Sequence, residues 1–560
     1  MLNFSCPNCG AQYEVNDNLA GEKVACCVCD HRFFIEKTET ASDTAAAVDA
    51  ETFSAEPAVD NELPPLDVAY NQGPATYITC PHCWQHFDLR EIKYVSRHLE
   101  LIGDPVLGPD AWKRFTPMKY SAKGMAIDEK GMECPEMACP KCHLSIPEAV
   151  VDLPSSIFSI VGAPASGKSY FLATMLHQAR KTLPSYFEFN LSDVDSSVNM
   201  VLNGYESLLF MNNHPEKPVA LPKTELQGAA YTNQILMNGF SVDLPKPFIF
   251  ALTPKQGHQS YGKEEKTLQR NIILYDNAGE HFQPGYESVN NLATNHLAYS
   301  DGIIFIYDPL RDSRMQKYCD SNDPQFQQES VNQLSLFYEM AARVRKFSGI
   351  SSTEKYHQPM IVAIAKFDVL QERFGLSLKN EDFISYDSET MEYSINMQNV
   401  TDTSFRLRQK LLEIAPELVS AAEEFSTSVY FVPVSAFGCS PAYLDGSSTL
   451  GIVPAAMRPL WIDVPLLLQF HLHGLIAGSY PDVAGAIPIE RFKTTSETIM
   501  FSFPGEEKRI ELPRFYCGTS IYCKEQDKFY SLPLIEGAAR HQSFQATTLD
   551  EQIDNEFWNN

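Results

Sequence analysis

The stretch SIFSIVGAPASGKSYFLATMLHQAR, residues 156–180, decides the fold of this chain. It begins with an apolar run, SIFSIVG, of the kind that forms a buried strand. Residues 162–169 then fit the pattern GxxxxGK[ST] and lead into a helical pattern, and this context makes the match informative. Because a strand, a glycine-containing loop and a helix in this order build one layer of a helix-covered sheet, the stretch predicts an α/β fold.

The residue types of this loop suit phosphate groups. Gly162 and Gly167 let the backbone wrap, so that N–H groups of the loop, that of Ser166 included, point at phosphate oxygens next to the positive end of a helix. Lys168 would reach the β- and γ-phosphates of a nucleotide, and the Ser169 hydroxyl would bind Mg²⁺. We therefore expect nucleotide phosphates at residues 162–169.

From residue 155 onward, apolar runs alternate with helical patterns. This alternation predicts a mostly parallel sheet flanked by helices. Strands are expected at 156–162, 247–252, 271–276, 302–308, 359–365 and 429–435. Helices are expected at 168–182, 325–346, 405–424 and 466–476.

Three later segments follow predicted strands and bear on the identity of the nucleotide. Asp276 to Gly279 fits DxxG, in which the aspartate holds Mg²⁺ through water and the Gly279 N–H senses the γ-phosphate. Residues 365–368, Ala-Lys-Phe-Asp, resemble the guanine-reading NKxD segment, with Ala365 in place of Asn or Thr.

In that segment the carboxylate of Asp368 would accept hydrogen bonds from the guanine edge, and the stem of Lys366 would pack over the base. Adenine cannot donate that pair of bonds, so an unmatched buried carboxylate would reject it. Ser435 and Ala436 resemble the SA segment whose backbone N–H contacts guanine O6. Since ligands of open α/β sheets bind at the carboxyl ends of strands, all four loops are expected to meet in one crevice.

On these residues, 155–475 resembles a translation-factor-related (TRAFAC) class P-loop GTPase. The preceding CPHCW…GDPVLGP…CPKCH region is similar to what precedes the GTPase in the bacterial double-GTPase families. The resemblance implies GTP or GDP with Mg²⁺, and GTP hydrolysis as a regulatory switch in a multi-component conflict or defence system. It also implies protein partners, such as a second GTPase or a GTPase-activating protein encoded nearby.

The hydrolytic machinery is less defined. Glu280 and His281 stand where Ras-like proteins carry a water-orienting glutamine, and either could position water. Thr224, Thr232 and Thr253 are open alternatives for the switch threonine on Mg²⁺. We therefore expect slow intrinsic turnover, aided by an arginine supplied in trans.

Most of the fourteen cysteines lie before residue 143, many in CxxC pairs that indicate metal in a reducing compartment. Two structural zinc sites are predicted, from Cys6, Cys9, Cys26 and Cys29, and from Cys80, Cys83, Cys139 and Cys142. Alternative ligands for the second site are Cys134, His86 and His143. In both cases we expect the module to contact protein.

Composition limits the partners and the organisation. A net charge of −27 without a local basic patch disfavours nucleic acid and anionic membranes. The amino terminus lacks the features of a secretory signal, and the 461–480 stretch carries Asp463 and two histidines, so we expect a cytoplasmic protein. The predicted domains are a zinc ribbon (1–37), an acidic disordered linker (38–75), a second zinc-ribbon-like module (76–152), the GTPase-like domain (155–475) and a short β-rich extension with an acidic tail (476–560).

Two other functions stay open. One is a scaffold that holds nucleotide without hydrolysing it, which the Ala365 departure favours. The other is an ATP-dependent P-loop enzyme, which would prefer ATP and respond to DNA or RNA.

Overall fold

The computed structural model of the protein describes residues 77–222, 231–237, 239–258, 261, 268–276, 294–319, 323–327, 331–444, 446–506 and 508–535, and the backbone of short strands before residue 35. The chain divides into two units, Met1–Asn71 and Gln72–Asn560. In the first unit, two antiparallel pairs are described: Leu2–Ser5 with Gln12–Val15, and Lys23–Ala25 with Arg32–Phe34. The predicted ligands Cys6, Cys9, Cys26 and Cys29 lie outside the described residues, so the first zinc site stays a prediction.

The second unit is built on a seven-stranded sheet. Its strands in chain order are β1 (Ser155–Gly162), β2 (Phe189–Asp193), β3 (Phe248–Pro254), β4 (Arg270–Asp276), β5 (Gly302–Tyr307), β6 (Met360–Ile364) and β7 (Val429–Pro433). They lie side by side in the order β2-β3-β4-β1-β5-β6-β7. The strand that precedes the glycine loop is therefore central, with β4 and β5 as its neighbours.

The sheet is mixed. β1 pairs parallel with β4 and β5, and β5-β6 and β6-β7 are parallel too. On the other side of β1, β2-β3 and β3-β4 are antiparallel. The strand predicted at 247–252, which is β3, is therefore antiparallel to both of its neighbours. Because β1, β4, β5, β6 and β7 share one direction, the loops after them meet at one edge of the sheet.

The α-helices of the described residues are α1 (Glu148–Asp152), α2 (Lys168–Thr182), α3 (Met200–Phe210), α4 (Gln333–Ser348), α5 (Gln371–Phe374), α6 (Met397–Ile414), α7 (Pro416–Phe425) and α8 (Val464–Leu472). The bounds of α2 match the prediction. The helix predicted from 325 begins later, at Gln333, because Asn332 caps it by accepting a hydrogen bond from the Ser335 N–H. The helix predicted at 405–424 is two helices, since Pro416 begins a new one.

Shorter elements complete the unit. A π-helical turn lies at Leu183–Phe187. The 3-10 turns are Leu89–Glu91, Asn295–Tyr299, Pro309–Arg311, Gln316–Tyr318, Pro324–Gln327, Phe367–Val369, Asn380–Phe383, Pro454–Ala456 and Arg514–Tyr516. Two further antiparallel pairs are Thr232–Met237 with Phe240–Pro245, and Ala442–Tyr443 with Leu450–Gly451.

Alternation of side chains along the strands gives each face of the sheet its own hydrophobic core. Ile304 and Ile306 of β5 cluster with residues of α2, α3 and α8. Their neighbours Ile303 and Phe305 cluster with residues of α4, α6 and α7 on the other face. Helices thus cover both faces of this sheet.

Over β3 and β4, the second face is covered by the region that contains the second cysteine set, residues 76–152, here called the Cys module. Ile249, Ile273 and Tyr275 share a hydrophobic cluster with Cys80 and Trp84. The strands of the module are Tyr77–Thr79, His86–Asp88, Lys93–Val95, Ile102–Asp104, Gly108–Trp112, Arg114–Phe115, Ala126–Ile127, Glu133–Cys134, Met137–Ala138 and Ser145–Ile146. The module is therefore packed on the strand that ends in Asp276.

The segment after α8 consists of short strands, as its composition predicts. They are Gly478–Ser479, Ile487–Pro488, Phe492–Thr494, Thr498–Phe501, Ile510–Pro513, Ser520–Cys523 and Lys528–Ser531. Gly478–Ser479 joins Glu392–Asn396, which also pairs with Ile384–Asp387. The N–H of Ser520 donates to Oε1 of Gln398 in α6 at 2.8 Å, so this segment is attached to α6.

The apolar helix α8 is buried along its whole length. Its burial against the sheet explains its hydropathy without a membrane. In the part of the chain that the structure describes, no helix combines the length and the apolar character needed to cross a bilayer.

Asp463, which precedes α8, supports a pH-dependent prediction. The Thr182 hydroxyl donates to its Oδ2 at 2.6 Å, and burial raises the pKa of Asp463 to about 6 although that hydrogen bond lowers it. A raised pKa in the folded state means that the stability contributed by the protonated carboxyl is full below about pH 4 and is lost as the pH rises through about 6. We expect the stability gained by Asp463→Asn in urea unfolding to be about 1 kcal/mol larger at pH 7.5 than at pH 5.

The exposed residue Asp482 provides the control for this experiment. Asp482→Asn should give the same small effect at both pH values. If Asp463→Asn changes the free energy of unfolding by the same amount at both pH values, the carboxyl of Asp463 does not titrate as described.

Candidate functional site

The glycine loop (residues 162–169) wraps around the ammonium group of its own lysine. Nζ of Lys168 donates to the carbonyl oxygens of Gly162 at 3.0 Å and Ala163 at 2.8 Å. Gly167, immediately before α2, has a φ of 89°, in the left-handed region that favours glycine. A Cβ on Gly162 would lie 3.0 Å from the carbonyl oxygen of Ile306, so close packing against β5 favours glycine there. The geometry of the loop thus explains why glycine stands at both positions of the pattern.

Ser166 lies inside the same loop, and its side chain is buried. It is 2% exposed, and among the described residues its Oγ has no hydrogen-bond partner. Ala165 beside it has a φ of 54°, a strained value for a residue with a Cβ. A buried unsatisfied hydroxyl costs roughly 1–3 kcal/mol, and an oxygen-rich ligand in the loop would relieve that cost.

Ser169 and Asp276 bring the start of α2 and the end of β4 together. The Ser169 hydroxyl donates to Oδ2 of Asp276 at 3.3 Å. Burial raises the pKa of Asp276, while the charge of Lys168 and the Ser169 hydrogen bond lower it. A hydroxyl and a carboxylate next to a phosphate loop form the donor set that Mg²⁺ takes in phosphoryl-transfer sites, so these residues fit the ion.

Lys366 is held by a residue that the sequence analysis did not single out. Its Nζ lies 2.7 Å from Oδ2 of Asp308, which is fully buried directly after β5. Lys366 has a φ of 50°, so its backbone is strained while its side chain is fixed. Oδ1 of Asp308 accepts from the Leu310 N–H at 3.0 Å. An acidic residue at the end of a predicted strand, as at Asp276, was the signal that could have identified Asp308.

Asp368 and Ser435 form the other side of this region. The Ser435 hydroxyl donates to Oδ1 of Asp368 at 2.5 Å, and the Gly438 N–H donates to the Ser435 hydroxyl at 2.8 Å. Burial raises the pKa of Asp368, and the Ser435 hydrogen bond lowers it. Oδ1 is thus fixed by the SA segment, and donors from a ligand would favour the ionised carboxylate.

One pocket joins three of the four predicted loops. Its lining includes Ser166 and Gly167 of the glycine loop, Ala365, Lys366 and Asp368 after β6, and Ser435 and Ala436 after β7. The pair Ser169–Asp276 continues from the same glycine loop. The residues predicted at four separate places in the sequence are therefore adjacent at one edge of the sheet.

Four predicted residues are not among those that the structure describes. Gly279, Glu280, His281 and Thr224 lie outside the described residues, and their roles stay predictions.

The sheet topology excludes one of the three candidates for the switch threonine. Thr253 follows Leu252, whose partner across β3-β4 is Arg270, at the opposite end of β4 from Asp276. The two ends of β4 are six residue steps apart, about 20 Å, so Thr253 cannot share a metal with Asp276. Thr232 pairs with Pro245, shortly before β3 begins, and it stays open.

The four cysteines of the Cys module form a compact cluster. The Sγ atoms of Cys80, Cys83, Cys139 and Cys142 all lie within 4.8 Å of one another, and all four residues are buried. The Cys80–Cys142 and Cys83–Cys139 Sγ distances are both 3.7 Å. A tetrahedral zinc with bonds of about 2.3 Å places its sulfurs about 3.8 Å apart, so the cluster is compatible with zinc.

The two CxxC turns have matching backbones. The N–H of His82 donates to Sγ of Cys80, and the N–H of Lys141 donates to Sγ of Cys139, both at 3.3 Å. The residue after each turn, Trp84 or His143, has a φ near 60°. N–H donors of this kind stabilise thiolate ligands and orient them toward a metal.

The alternative ligands have other partners. Sγ of Cys134 lies 3.7 Å from Oδ2 of Asp128, and Nδ1 of His86 lies 2.7 Å from the Thr79 hydroxyl. His143 contacts Asp104 through Nδ1 at 2.8 Å. The four CxxC cysteines are therefore the better candidates.

This geometry predicts a change in metal content. Cys142→Ser should lower the zinc bound per chain by one ion, because a closed site needs all four thiolates. Cys134→Ser is the matched control, since that thiol is buried in the same module but lies next to Asp128, and it should leave the zinc content unchanged. Atomic absorption on the purified proteins measures both. Equal zinc content in all three proteins would contradict the assignment.

Among solved structures, the chain is similar to several GTP-binding proteins. These include a putative nucleolar GTP-binding protein 1 from Plasmodium falciparum (12% identity, 52% of this chain and 81% of that chain, TM-score 0.20). A second is the SRb-GTP/SRX signal recognition particle receptor complex from Chaetomium thermophilum (12% identity, 52% of this chain and 94% of that chain, TM-score 0.20). A third is the GTP-bound Ski7 GTPase-like domain of S. cerevisiae (12% identity, 66% of this chain and 60% of that chain, TM-score 0.23). These likenesses are weak.

Among curated proteins, the chain is 24% identical over 174 residues to the putative ESX-1 scaffolding and assembly protein SaeC of Mycolicibacterium smegmatis. The match covers 31% of this chain and 38% of the length of that relative. No protein-family model matches the chain.

Proposed function

We propose that the chain binds GTP and GDP with Mg²⁺, hydrolyses GTP slowly and works as a regulatory switch in a bacterial multi-component system. The observation that carries this proposal is the single pocket lined by the glycine loop, by Lys366 and Asp368, and by Ser435. Lys168 and the loop N–H groups would hold the phosphates, and Ser169 with Asp276 would hold Mg²⁺.

Guanine is favoured over adenine because of the acceptor at Asp368. Its Oδ1 is fixed by the Ser435 hydroxyl, and a carboxylate accepts from the N1 and N2 donors of guanine. Adenine offers an unprotonated N1 at that edge, so the buried carboxylate would lack donors. The ion pair with Asp308 would fix the side chain of Lys366, whose stem is expected to pack over the base.

Slow hydrolysis is the prediction that tests the switch. In single-turnover assays the purified chain should hydrolyse bound GTP on the order of 10⁻³ s⁻¹ or slower, because the arginine that stabilises the developing charge would come from a partner. Ser169→Ala should reduce even this rate by weakening Mg²⁺ binding. Thr174→Ala, at a buried position of the same helix, is the control for disturbance of α2. A rate near that of a partner-activated GTPase, without any partner present, would contradict this part of the proposal.

The proposed cellular role involves protein partners. The matched relative is called a scaffolding and assembly protein, which is consistent with partners that are proteins. The Cys module and the amino-terminal cysteines would mediate such contacts, with zinc as a structural ion in each.

The second candidate function is a nucleotide-binding scaffold without hydrolysis. Ala365 favours it, because the usual Asn or Thr at this position supports the base-binding loops by hydrogen bonds. The same single-turnover assay separates the two functions, since a scaffold would retain GTP unchanged over hours.

A further inference from the structure

Trp84 connects the Cys module to the strand that ends in Asp276. Its indole Nε1 donates to the Tyr275 hydroxyl at 3.0 Å, and that hydroxyl donates to the carbonyl oxygen of Pro81 inside the first CxxC turn. Tyr275 is fully buried and immediately precedes Asp276 in β4. One phenolic hydroxyl is thus bound by the backbone of the cysteine turn and by the side chain that follows it.

The ring of Tyr275 is also held from β1. It stacks on His296 with ring centroids 4.4 Å apart, and Nδ1 of His296 lies 2.6 Å from the Ser159 hydroxyl. Trp84 stacks on Tyr299 with centroids 6.3 Å apart. Tyr275 therefore has contacts on both sides, and it cannot move without disturbing either β1 or the Cys module.

Side chains alternate across a strand, so adjacent residues point to opposite faces. Tyr275 points into the Cys module, whereas the carboxylate of the next residue, Asp276, reaches Ser169 at the start of α2. A shift of the β4 backbone at Tyr275 would be transmitted to Asp276 directly. Such a shift would disturb the magnesium site, because Mg²⁺ demands near-ideal octahedral geometry and Asp276 is expected to hold one of its waters.

The position of Trp84 depends on the cysteine turn. Trp84 has a φ of 59°, unusual for a bulky residue, directly after Cys83. Zinc would fix this turn, because in small metal modules the free energy of metal binding is also free energy of folding.

We propose that zinc in the cluster of Cys80, Cys83, Cys139 and Cys142 is coupled to magnesium-nucleotide binding at Asp276, with Trp84 and Tyr275 as the positioning residues. The inference rests on the proposed guanine-nucleotide site. Coupling between two sites is reciprocal: nucleotide with Mg²⁺ must strengthen zinc binding by the same factor by which zinc strengthens nucleotide binding.

The test measures zinc affinity at equilibrium against a chromogenic chelator. The protein is the full chain with Cys6→Ser and Cys9→Ser. These substitutions remove the predicted amino-terminal zinc site, so the measured affinity is that of the cluster in the Cys module. Saturating GDP with Mg²⁺ should raise zinc affinity about fivefold, the lower end of typical coupling, and GDP without added Mg²⁺ should raise it less. This measurement needs no change at Trp84 or Tyr275, so it stands even if variants there fold poorly.

Two variants locate the coupling. In Tyr275→Phe and in Trp84→Phe, the zinc affinities with and without GDP and Mg²⁺ should become equal within error. Tyr516→Phe is the matched control: it is a fully buried tyrosine whose hydroxyl contacts Ser404 at 3.0 Å, in a separate hydrophobic cluster. It should retain the fivefold difference.

The outcomes separate this inference from the proposed function. If the protein binds GDP but its zinc affinity does not respond, the coupling is absent and the inference fails alone. If GDP with Mg²⁺ raises the zinc affinity of both variants by the full factor, Trp84 and Tyr275 do not transmit the coupling. If no guanine nucleotide binds at all, the proposed function fails, and the inference fails with it.

Discussion

Replacing Lys168 with alanine is expected to lower the affinity for GDP and for GTP by about a hundredfold or more. Nζ of Lys168 is buried in the glycine loop, held only 2.8 and 3.0 Å from the carbonyl oxygens of Ala163 and Gly162. From there it would form charge-assisted hydrogen bonds to phosphate oxygens, worth about 3 kcal/mol in total, which corresponds to a factor of about 100. Isothermal titration calorimetry with Mg²⁺ present measures the loss.

The matched control is Lys181→Ala, at the exposed end of the same helix. It removes one positive charge from α2 without touching the glycine loop, so its affinity for GDP should stay within about twofold of the unaltered protein. A loss of similar size in both variants would mean that overall charge, and not a contact of Lys168 with phosphate, determines binding.

The second large effect is a change of base preference in Asp368→Asn. The carboxylate of Asp368 accepts two hydrogen bonds from guanine in the proposed pose, whereas an amide accepts one and donates one. Xanthine carries an acceptor oxygen where guanine carries its N2 donor, so the amide matches xanthine. We expect the affinity for GDP to fall by about a hundredfold and xanthosine diphosphate to bind better than GDP.

Asp387→Asn is the control, because Asp387 is exposed in the Ile384–Asp387 strand. It should leave both affinities unchanged. If Asp368→Asn loses GDP without gaining xanthosine diphosphate, the residue stabilises the loop through Ser435 and does not read the base.

The parts of the site that the sequence predicted are those that depend on local pattern. The glycine loop follows from β1 and α2, which are adjacent in sequence, and α2 has its predicted bounds. Asp276 and Asp368 were identified because each belongs to a short pattern, DxxG or the NKxD-like segment, at the end of an apolar strand. Parallel strands bring such positions to one edge wherever they lie in the chain.

The parts that were missed depend on contacts between distant residues. The edge strand β2 was not predicted because its sequence, FNLSD, alternates buried and exposed positions over only five residues. The antiparallel direction of β3 depends on what precedes it, and this direction excludes Thr253 as a ligand. The partners are 58 residues apart in the Lys366–Asp308 pair and 191 residues apart in the Trp84–Tyr275 contact, so no local pattern predicts either pairing.

The most direct test of the account is calorimetric titration of the unaltered chain with GDP, a non-hydrolysable GTP analogue and the matching ATP analogue, each with Mg²⁺. The account predicts that both guanine nucleotides bind with one site per chain, and that the ATP analogue binds at least about a hundredfold more weakly. Tight binding of the ATP analogue would contradict the assignment of Asp368 to guanine, and no binding by any nucleotide would contradict the site itself.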